Sequence, residues 1–372
     1  MQGILGLTIK HVIMWLIGLT LIYLAVAKDY EPLLLMPIGF GALLANIPLS
    51  SAVGHEGPLT TLLHAGISNE LFPVLIFVAI GAMCDFSPLL KQPLMMIFGA
   101  AAQFGIFGTI LVATLIGFPI NQAAAIGIIG AADGPTTIYV ANKFATELLG
   151  PLSVAAYSYM SLVPIIQPPV IKALTSKEER KIRMSYKDTK VPNMVLIAFP
   201  IVVTLIAGVI APISVALIGF LMFGNLIRVC VGMCSSLNRL NDAAQNELAN
   251  LVTLVLGITI GGTMTADGFL NLTTLFIMGL GLVAFIFDTA GGVLVAKLMN
   301  IFRKEKINPM VGGAGISAFP MSGRVVAKMA LAEDRSNYII YQAIGANASG
   351  QIGSIIAGGV VLAVVGTMLG VR

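Results

Sequence analysis

The segment Gly130-Ala131-Ala132-Asp133-Gly134-Pro135-Thr136-Thr137 sets a carboxylate in the middle of the apolar run Ala123–Ala145. A charge at bilayer depth costs roughly 2.5–3.5 kcal/mol on insertion scales and marks an ion or proton path by default. Glycine and proline on both sides of Asp133 break the helix and free backbone carbonyls, the usual construction of an intramembrane cation site. The bland alternatives for Asp133 are a structural ion pair and a buried protonated acid. A second broken segment, Asn308–Arg324, offers an amide, a hydroxyl, several glycine-freed carbonyls and one cation. Hard oxygen ligands of this kind suit Na⁺, with Asp133 supplying the negative charge. Arg324 is a poor Na⁺ ligand, but its planar fork suits a carboxylate. The two segments thus hold the means to bind a cation and, close by, an anion.

Other polar residues in apolar surroundings add to this set. The span 150–173 carries Tyr157, Tyr159, Ser161 and Gln167 with a Pro168-Pro169 break, and its later counterpart carries Asn347, Ser349 and Gln351. A buried tyrosine is more often a packing residue, and Asn347 reads equally as a helix-packing contact or a ligand. Asp288, inside Phe285–Gly292, is either a second ion site or the partner of Lys297 or Arg228. Asn46 and Asn225 each follow an Ile-Gly-Phe and are expected to close the site by symmetry. Cys84, Cys230 and Cys234 have no paired CxxC spacing and read as packing residues. His11, His55 and His64 are scattered and incidental.

The elements that must position these residues belong to a membrane protein. Of 372 residues, 57% are hydrophobic and 10% charged, against about 25% charged in soluble domains. The mean hydropathy is +0.96. No signal-peptide pattern is evident, and His11–Ala27 reads as a retained helix. No Walker motif, Rossmann fingerprint or biotin-attachment Met-Lys-Met occurs, so nucleotide or prosthetic-group chemistry is not housed on this chain. The expected class is an all-α polytopic membrane protein with about ten transmembrane helices, at 11–27, 33–50, 71–84, 95–117, 150–173, 193–209, 212–232, 249–265, 271–297 and 342–370. Two broken re-entrant segments, 122–145 and 308–330, complete it.

The chain also resembles itself. Ile38-Gly39-Phe40 precedes Ile80-Gly81 by 42 residues, and Ile218-Gly219-Phe220 precedes Ile260-Gly261 by the same interval. The offset of 180 carries the Asp133 segment onto Gly312-Gly313-Ala314-Gly315. If both broken segments are re-entrant, the linkers 51–70, 118–121, 210–212 and 265–270 share one side without Lys or Arg. The other side receives Lys28, Lys91, Lys177, Arg180, Lys181, Arg183, Lys187, Lys190, Arg239, Arg303, Lys304, Lys306 and Arg335. This positive-inside pattern places the linker in the cytoplasm and the N-terminus outside, with Lys10 a mild exception. The expected organisation is a first membrane repeat at 1–173, a cytoplasmic basic linker at 174–192 and a second, inverted repeat at 193–372. The basic run 177–190 reads as a solvated loop or as a docking surface for a soluble partner.

With these motifs in order, the chain resembles the β subunit of the biotin-dependent sodium-pumping decarboxylases, which serve oxaloacetate, methylmalonyl-CoA, glutaconyl-CoA and malonate decarboxylase complexes. The resemblance rests on Gly39–Pro48, Gly130–Thr137, Tyr157–Pro164 with Gln167-Pro168-Pro169, and Asn308–Arg324, and covers nearly the whole chain. Ser322-Gly323 departs from an alanine-rich stretch common in the family. The resemblance implies a sodium pump and translocase active only within a complex. Carboxybiotin, carried on a partner subunit, would be decarboxylated here while Na⁺ moves outward and an external proton is consumed. It implies catalytic roles for Asp133, Tyr159 and Arg324, carboxybiotin binding by Arg324 and Ser317, and Na⁺ binding by Asp133, Asn308, Gly312, Ser317 and Asn347. It also implies a carboxyltransferase α subunit, a biotin carrier subunit, a small membrane γ/δ-type subunit and residence in the bacterial inner membrane. The competing function is a stand-alone Na⁺-coupled carboxylate transporter or Na⁺/H⁺ exchanger, which inverted halves alone would fit equally well. A purely structural anchor for a soluble complex is disfavoured by the intramembrane Asp and Arg.

Overall fold

Glycine spacing decides which apolar helices touch, because only a residue without Cβ lets two backbones meet in a medium with no hydrophobic drive between helices. The computed structural model describes residues 2–185 and 190–370, without the side chains of Gln2, Ile4, Ser161 and Ile210. Lys187 and the Ser161 side chain therefore lie outside the described residues. In chain order the longer helices are α1 (Ile9–Lys28), α2 (Pro32–Ala45), α3 (Leu71–Met83), α4 (Met95–Ala102), α5 (Phe104–Ile116), α6 (Ile120–Ile128) and α7 (Gly134–Phe144). There follow α8 (Leu149–Leu174), α9 (Asn193–Ile210), α10 (Val215–Cys230), α11 (Ala249–Thr263), α12 (Leu272–Phe302), α13 (Met321–Glu333) and α14 (Ile340–Leu369).

Helices α2 and α11 cross at Gly41 and Gly261, and α3 and α10 cross at Gly81 and Gly224. A Cβ on Gly41 would lie 2.3 Å from the Ile258 carbonyl oxygen, and one on Gly81 would lie 1.9 Å from that of Leu221. Asparagines close both crossings in the same way. Asn46 Nδ2 donates to the Met264 carbonyl at 2.6 Å, and Asn225 Nδ2 donates to the Cys84 carbonyl at 2.8 Å. Under the offset of 180, Met264 is the counterpart of Cys84 and Gly261 of Gly81. Each half therefore packs its first marked helix on the second marked helix of the other half. The two asparagines join this crossing and lie away from the broken segments.

Both broken segments return to the side from which they start. Asn121 Nδ2 donates to the Phe144 carbonyl at 2.8 Å, and Gln122 Nε2 to Glu147 at 2.9 Å, so α6 and α7 form a hairpin. Its mouth is tied to the 51–70 linker by Asn142 to the Ser68 carbonyl and by the Lys143–Glu70 ion pair. The second segment opens elsewhere: Asn308 and Asn337 both donate to the Arg180 carbonyl, at 2.8 and 3.0 Å. Arg180 pairs with Glu333 at 2.7 Å and Arg183 with Asp334 at 2.7 Å, which ties the basic linker to that mouth. Helix α12 links the two sides, running 31 residues, or about 46 Å at 1.5 Å per residue. Among the described residues, Lys10 and Lys143 lie on the side poor in Lys and Arg, and each is paired with an acid, Lys10 with Asp267 at 2.7 Å and Lys143 with Glu70.

Among the described residues, six helices are long and apolar enough to span a membrane, or up to eight if two bent pairs each count as one. Two more of the expected segments are the shorter apolar helices Pro32–Ala45 and Asn193–Val209, and the expected segments 71–84 and 150–173 belong to the bent pairs. In α8 the bend of 65° falls between Met160 and Leu162, not at Pro168-Pro169. Pro164 accounts for this, since its ring clashes with the carbonyl four residues earlier, that of Met160.

Candidate functional site

The tips of the two hairpins meet through a backbone hydrogen bond, Ser317 N–H to the Ala131 carbonyl at 3.0 Å. On the first tip, a 3-10 turn over Ile129–Ala131 ends at Ala132, whose φ of 53° turns the chain left-handed. Asp133 is then extended and caps α7: its Oδ1 accepts from the Thr136 amide at 3.1 Å. Its Oδ2 accepts from Thr136 Oγ1 at 2.7 Å, Ser354 Oγ at 2.7 Å and Gln351 Nε2 at 3.3 Å. Asp133 is 2% exposed. Among the described residues no Lys, Arg or His forms an ion pair with it. The charge of a carboxylate at a half-helix N-terminus is met here by dipoles and neutral donors, which leaves the net charge of the site open to one cation. Tyr157 covers this point, with its ring against Gly134.

On the second tip, Ser317 Oγ donates to the Gly350 carbonyl at 3.0 Å and Asn347 Nδ2 to the Ile316 carbonyl at 2.6 Å. Asn347 Oδ1 is buried and has no hydrogen-bond partner, an oxygen left over in a site otherwise well supplied with donors. Gln167 holds the same tip from α8, donating to the Gly313 carbonyl and Ser322 Oγ, each at 2.7 Å. Carboxylate, hydroxyl, amide and carbonyl oxygens thus converge where two helices are interrupted, a donor set suited to a hard monovalent cation.

Of the residues expected from the sequence, Asp133, Ser317 and Asn347 come together at this junction. The others lie apart from it. Both amide hydrogens of Asn308 are used on the Arg180 and Ile182 carbonyls, and its Oδ1 accepts from the Met310 amide, so it clamps the hairpin mouth to the basic linker. Gly312 serves close packing: a Cβ there would lie 2.0 Å from the Gly292 carbonyl oxygen of α12. The Tyr159 hydroxyl donates to the Met278 carbonyl. Arg324 is exposed on the first turn of α13 and lines a separate cavity of about 360 Å³ with Lys328, Leu331 and Tyr338. Arg324 is thus not among the groups that meet at Asp133; its guanidinium stands on an exposed helix start instead.

Thr136 and Ser354 escaped the sequence reading as individual ligands. The signals were present. An Asp followed three residues later by Thr is an N-cap pattern. Asn347, Gln351 and Ser354 are spaced i, i+4, i+7, one polar stripe along an otherwise apolar helix.

The chain matches, over residues 10–365, the family model described as Na⁺-transporting oxaloacetate decarboxylase beta subunit. It is 49% identical to the glutaconyl-CoA decarboxylase subunit beta of Acidaminococcus fermentans, over 98% of this chain and 96% of that protein. It is 46% identical to the methylmalonyl-CoA decarboxylase subunit beta of Propionigenium modestum, over 98% and 97%. The oxaloacetate decarboxylase beta chain of Klebsiella pneumoniae is 44% identical, over 97% and 96%. With two opposed hairpins meeting at a buried carboxylate and relatives that align end to end, the chain belongs to the family of Na⁺-transporting oxaloacetate decarboxylase beta subunits.

Proposed function

We propose that this chain performs the membrane step of a sodium-pumping decarboxylase: it decarboxylates carboxybiotin presented by a carrier subunit and couples that reaction to outward Na⁺ transport. The family supports a decarboxylase and translocase subunit rather than a stand-alone transporter. The proposed partners are a carboxyltransferase, a biotin carrier and a small membrane subunit, and the proposed location is the bacterial cytoplasmic membrane. In the reaction the N–CO₂⁻ bond of carboxybiotin breaks, CO₂ leaves, and the ring nitrogen takes up a proton drawn from outside.

The observation that carries the reading is Asp133 itself, buried, unpaired with any described cation and ringed by Thr136, Gln351 and Ser354 where the hairpins touch. Na⁺ and H⁺ each neutralise the same carboxylate, so the two compete for one place. Binding of one and release of the other exchanges them across the junction. Ser317 and Asn347 would complete the oxygen shell, and Asn347 Oδ1 is the oxygen still without a partner. Arg324 would meet the carboxylate of carboxybiotin. Its exposure beside Lys328 suits a ligand delivered by another subunit, and the same cavity is lined by Asn337, which donates to the Arg180 carbonyl of the basic linker. Tyr159 would support the site from α8, while Tyr157 is the tyrosine whose ring lies beside Asp133.

The test is ²²Na⁺ uptake into inverted vesicles holding the full chain, driven by added carboxybiotin. Uptake in proportion to CO₂ release is the expected result. CO₂ release with no ²²Na⁺ movement would overturn coupling by this chain, and absence of both signals would restore the stand-alone transporter.

A further inference from the structure

Asp288 is the second carboxylate buried in the membrane part, and nothing in the reading above uses it. It sits on α12, is 0% exposed, and its two oxygens receive no hydrogen bond from any described side chain. The cations expected to pair with it are engaged elsewhere. Lys297 lies 3.2 Å from Glu179 and donates to the Leu174 carbonyl, and Arg228 donates to the Ala82 carbonyl. The carboxylate instead fills a space kept open by two glycines. A Cβ on Gly105 would lie 2.1 Å from Asp288 Oδ1, and one on Gly130 would lie 3.2 Å from Oδ2. Gly130 belongs to the 3-10 turn that leads into Asp133, so Asp288 touches the broken segment on which the ion site is built.

An isolated ion at zero exposure carries a desolvation penalty of several kcal/mol unless a positive charge compensates it. The compensating charge here is either a proton or a metal cation. A hard cation needs a shell of oxygens, and Asp133 has one. Around Asp288 the walls are Gly105, Gly130 and the Ala284 methyl, with the Gly105 and Ile106 amides facing the carboxylate. Beside these amides and carbon atoms the wall adds the Ala284 carbonyl oxygen, which lies four residues before Asp288 on the same helix, a poorer shell of oxygens than the one around Asp133. Two more buried hydroxyls without partners, Thr109 one turn along α5 from Gly105 and Thr289 next in the chain, lie on the same pair of helices.

We propose that Asp288 is a second proton-binding carboxyl group of this subunit, loaded and unloaded through the Gly130 turn in step with Asp133. The proposal rests on the pump reading, in which an external proton is consumed. Helices α4, α5 and α6, packed around Asp288, contain no titratable residue, and α8 brings Tyr157, Tyr159 and the exposed Lys172. Asp133 is the acid that neighbours it along the broken segment.

Infrared difference spectra of the purified complex, taken between acid and alkaline pH, report buried carboxyl groups that exchange a proton. The Asp133→Asn complex should retain one such C=O band, and adding Asp288→Asn should remove it. Asp288→Glu, which keeps the acid, should shift the band without abolishing it. A spectrum of Asp133→Asn that already lacks the band overturns the proposal, whatever becomes of transport. In vesicles, the Asp288→Asn complex should lose at least tenfold of its proton consumption and bind ²²Na⁺ with unchanged stoichiometry. Reduced ²²Na⁺ stoichiometry would make Asp288 a metal ligand, and unchanged proton consumption would make it a packing acid. Either result refutes the proposal. Failure of the pump reading shows separately, as Na⁺-independent turnover of the parent complex.

Discussion

Asp133→Asn removes one unit of charge and almost no volume, so its effects on folding and on ion binding separate cleanly. Oδ1 can still accept from the Thr136 amide, which preserves the cap of α7. An amide nitrogen in place of Oδ2 can donate to Thr136 Oγ1 and Ser354 Oγ once those hydroxyls rotate, but it faces the Gln351 amino group donor to donor. One mismatched buried donor costs roughly 1–3 kcal/mol, so the complex should assemble with a modest loss of thermal stability. The cation loses far more. Two unit charges at about 4 Å interact by about 4 kcal/mol at an effective dielectric constant of about 20, or about a thousandfold in affinity at 1.4 kcal/mol per decade. The assay is decarboxylation by the assembled complex against Na⁺ concentration, with subunit co-purification and a melting curve as controls. We expect normal co-purification and no Na⁺ stimulation. Na⁺-stimulated turnover with half-saturation within tenfold of wild type would refute the assignment of Asp133 as the ion's carboxylate.

Further outcomes follow from the packing and the linker. Gly81→Ala sets a Cβ 1.9 Å from the Leu221 carbonyl oxygen, and should lower stability in detergent by about 1–3 kcal/mol or more. Gly279→Ala meets nothing within 4 Å and should be neutral or slightly stabilising; equal melting shifts would contradict the crossing. Asn46→Leu and Asn225→Leu each strand a buried carbonyl, that of Met264 or of Cys84. Each should cost a similar roughly 1–3 kcal/mol, and a large difference between them would argue against paired roles. At the linker, hydrogen bonds from Ser336 and the Arg183 guanidinium hold the Asp334 carboxyl down from 3.8 to about 2. Because that value is depressed on folding, the attachment is fully present above about pH 4 and fades as the pH falls toward 2. Limited proteolysis at 177–183 should therefore be insensitive to pH above 4 and be enhanced at neutral pH by Asp334→Asn.

The sequence by itself determined where the first broken segment breaks, because Gly130, Gly134 and Pro135 act on the backbone within one turn and need no distant partner, whereas the bend of α8 fell at Met160–Leu162 and not at Pro168-Pro169. The uneven spread of Lys and Arg, residues costly to carry across a bilayer, is likewise written along the chain. Of the glycines marked by the internal offset of 180, Gly81 and Gly261 lie at the crossings between the halves, while Gly39 packs on Gly18 and Gly219 meets no backbone closely. Tertiary structure decided the rest. Ser354 lies 221 residues from Asp133 in the chain, and its Oγ reaches the carboxylate only because α14 passes the tip of the first hairpin. Asn308 and Arg324 carry chemistry that suits the site, yet one is spent at the hairpin mouth and the other faces outward. Local sequence states what a side chain can bind; which partners it meets depends on how two interrupted helices from opposite sides cross, and that is set by packing between residues far apart in the chain.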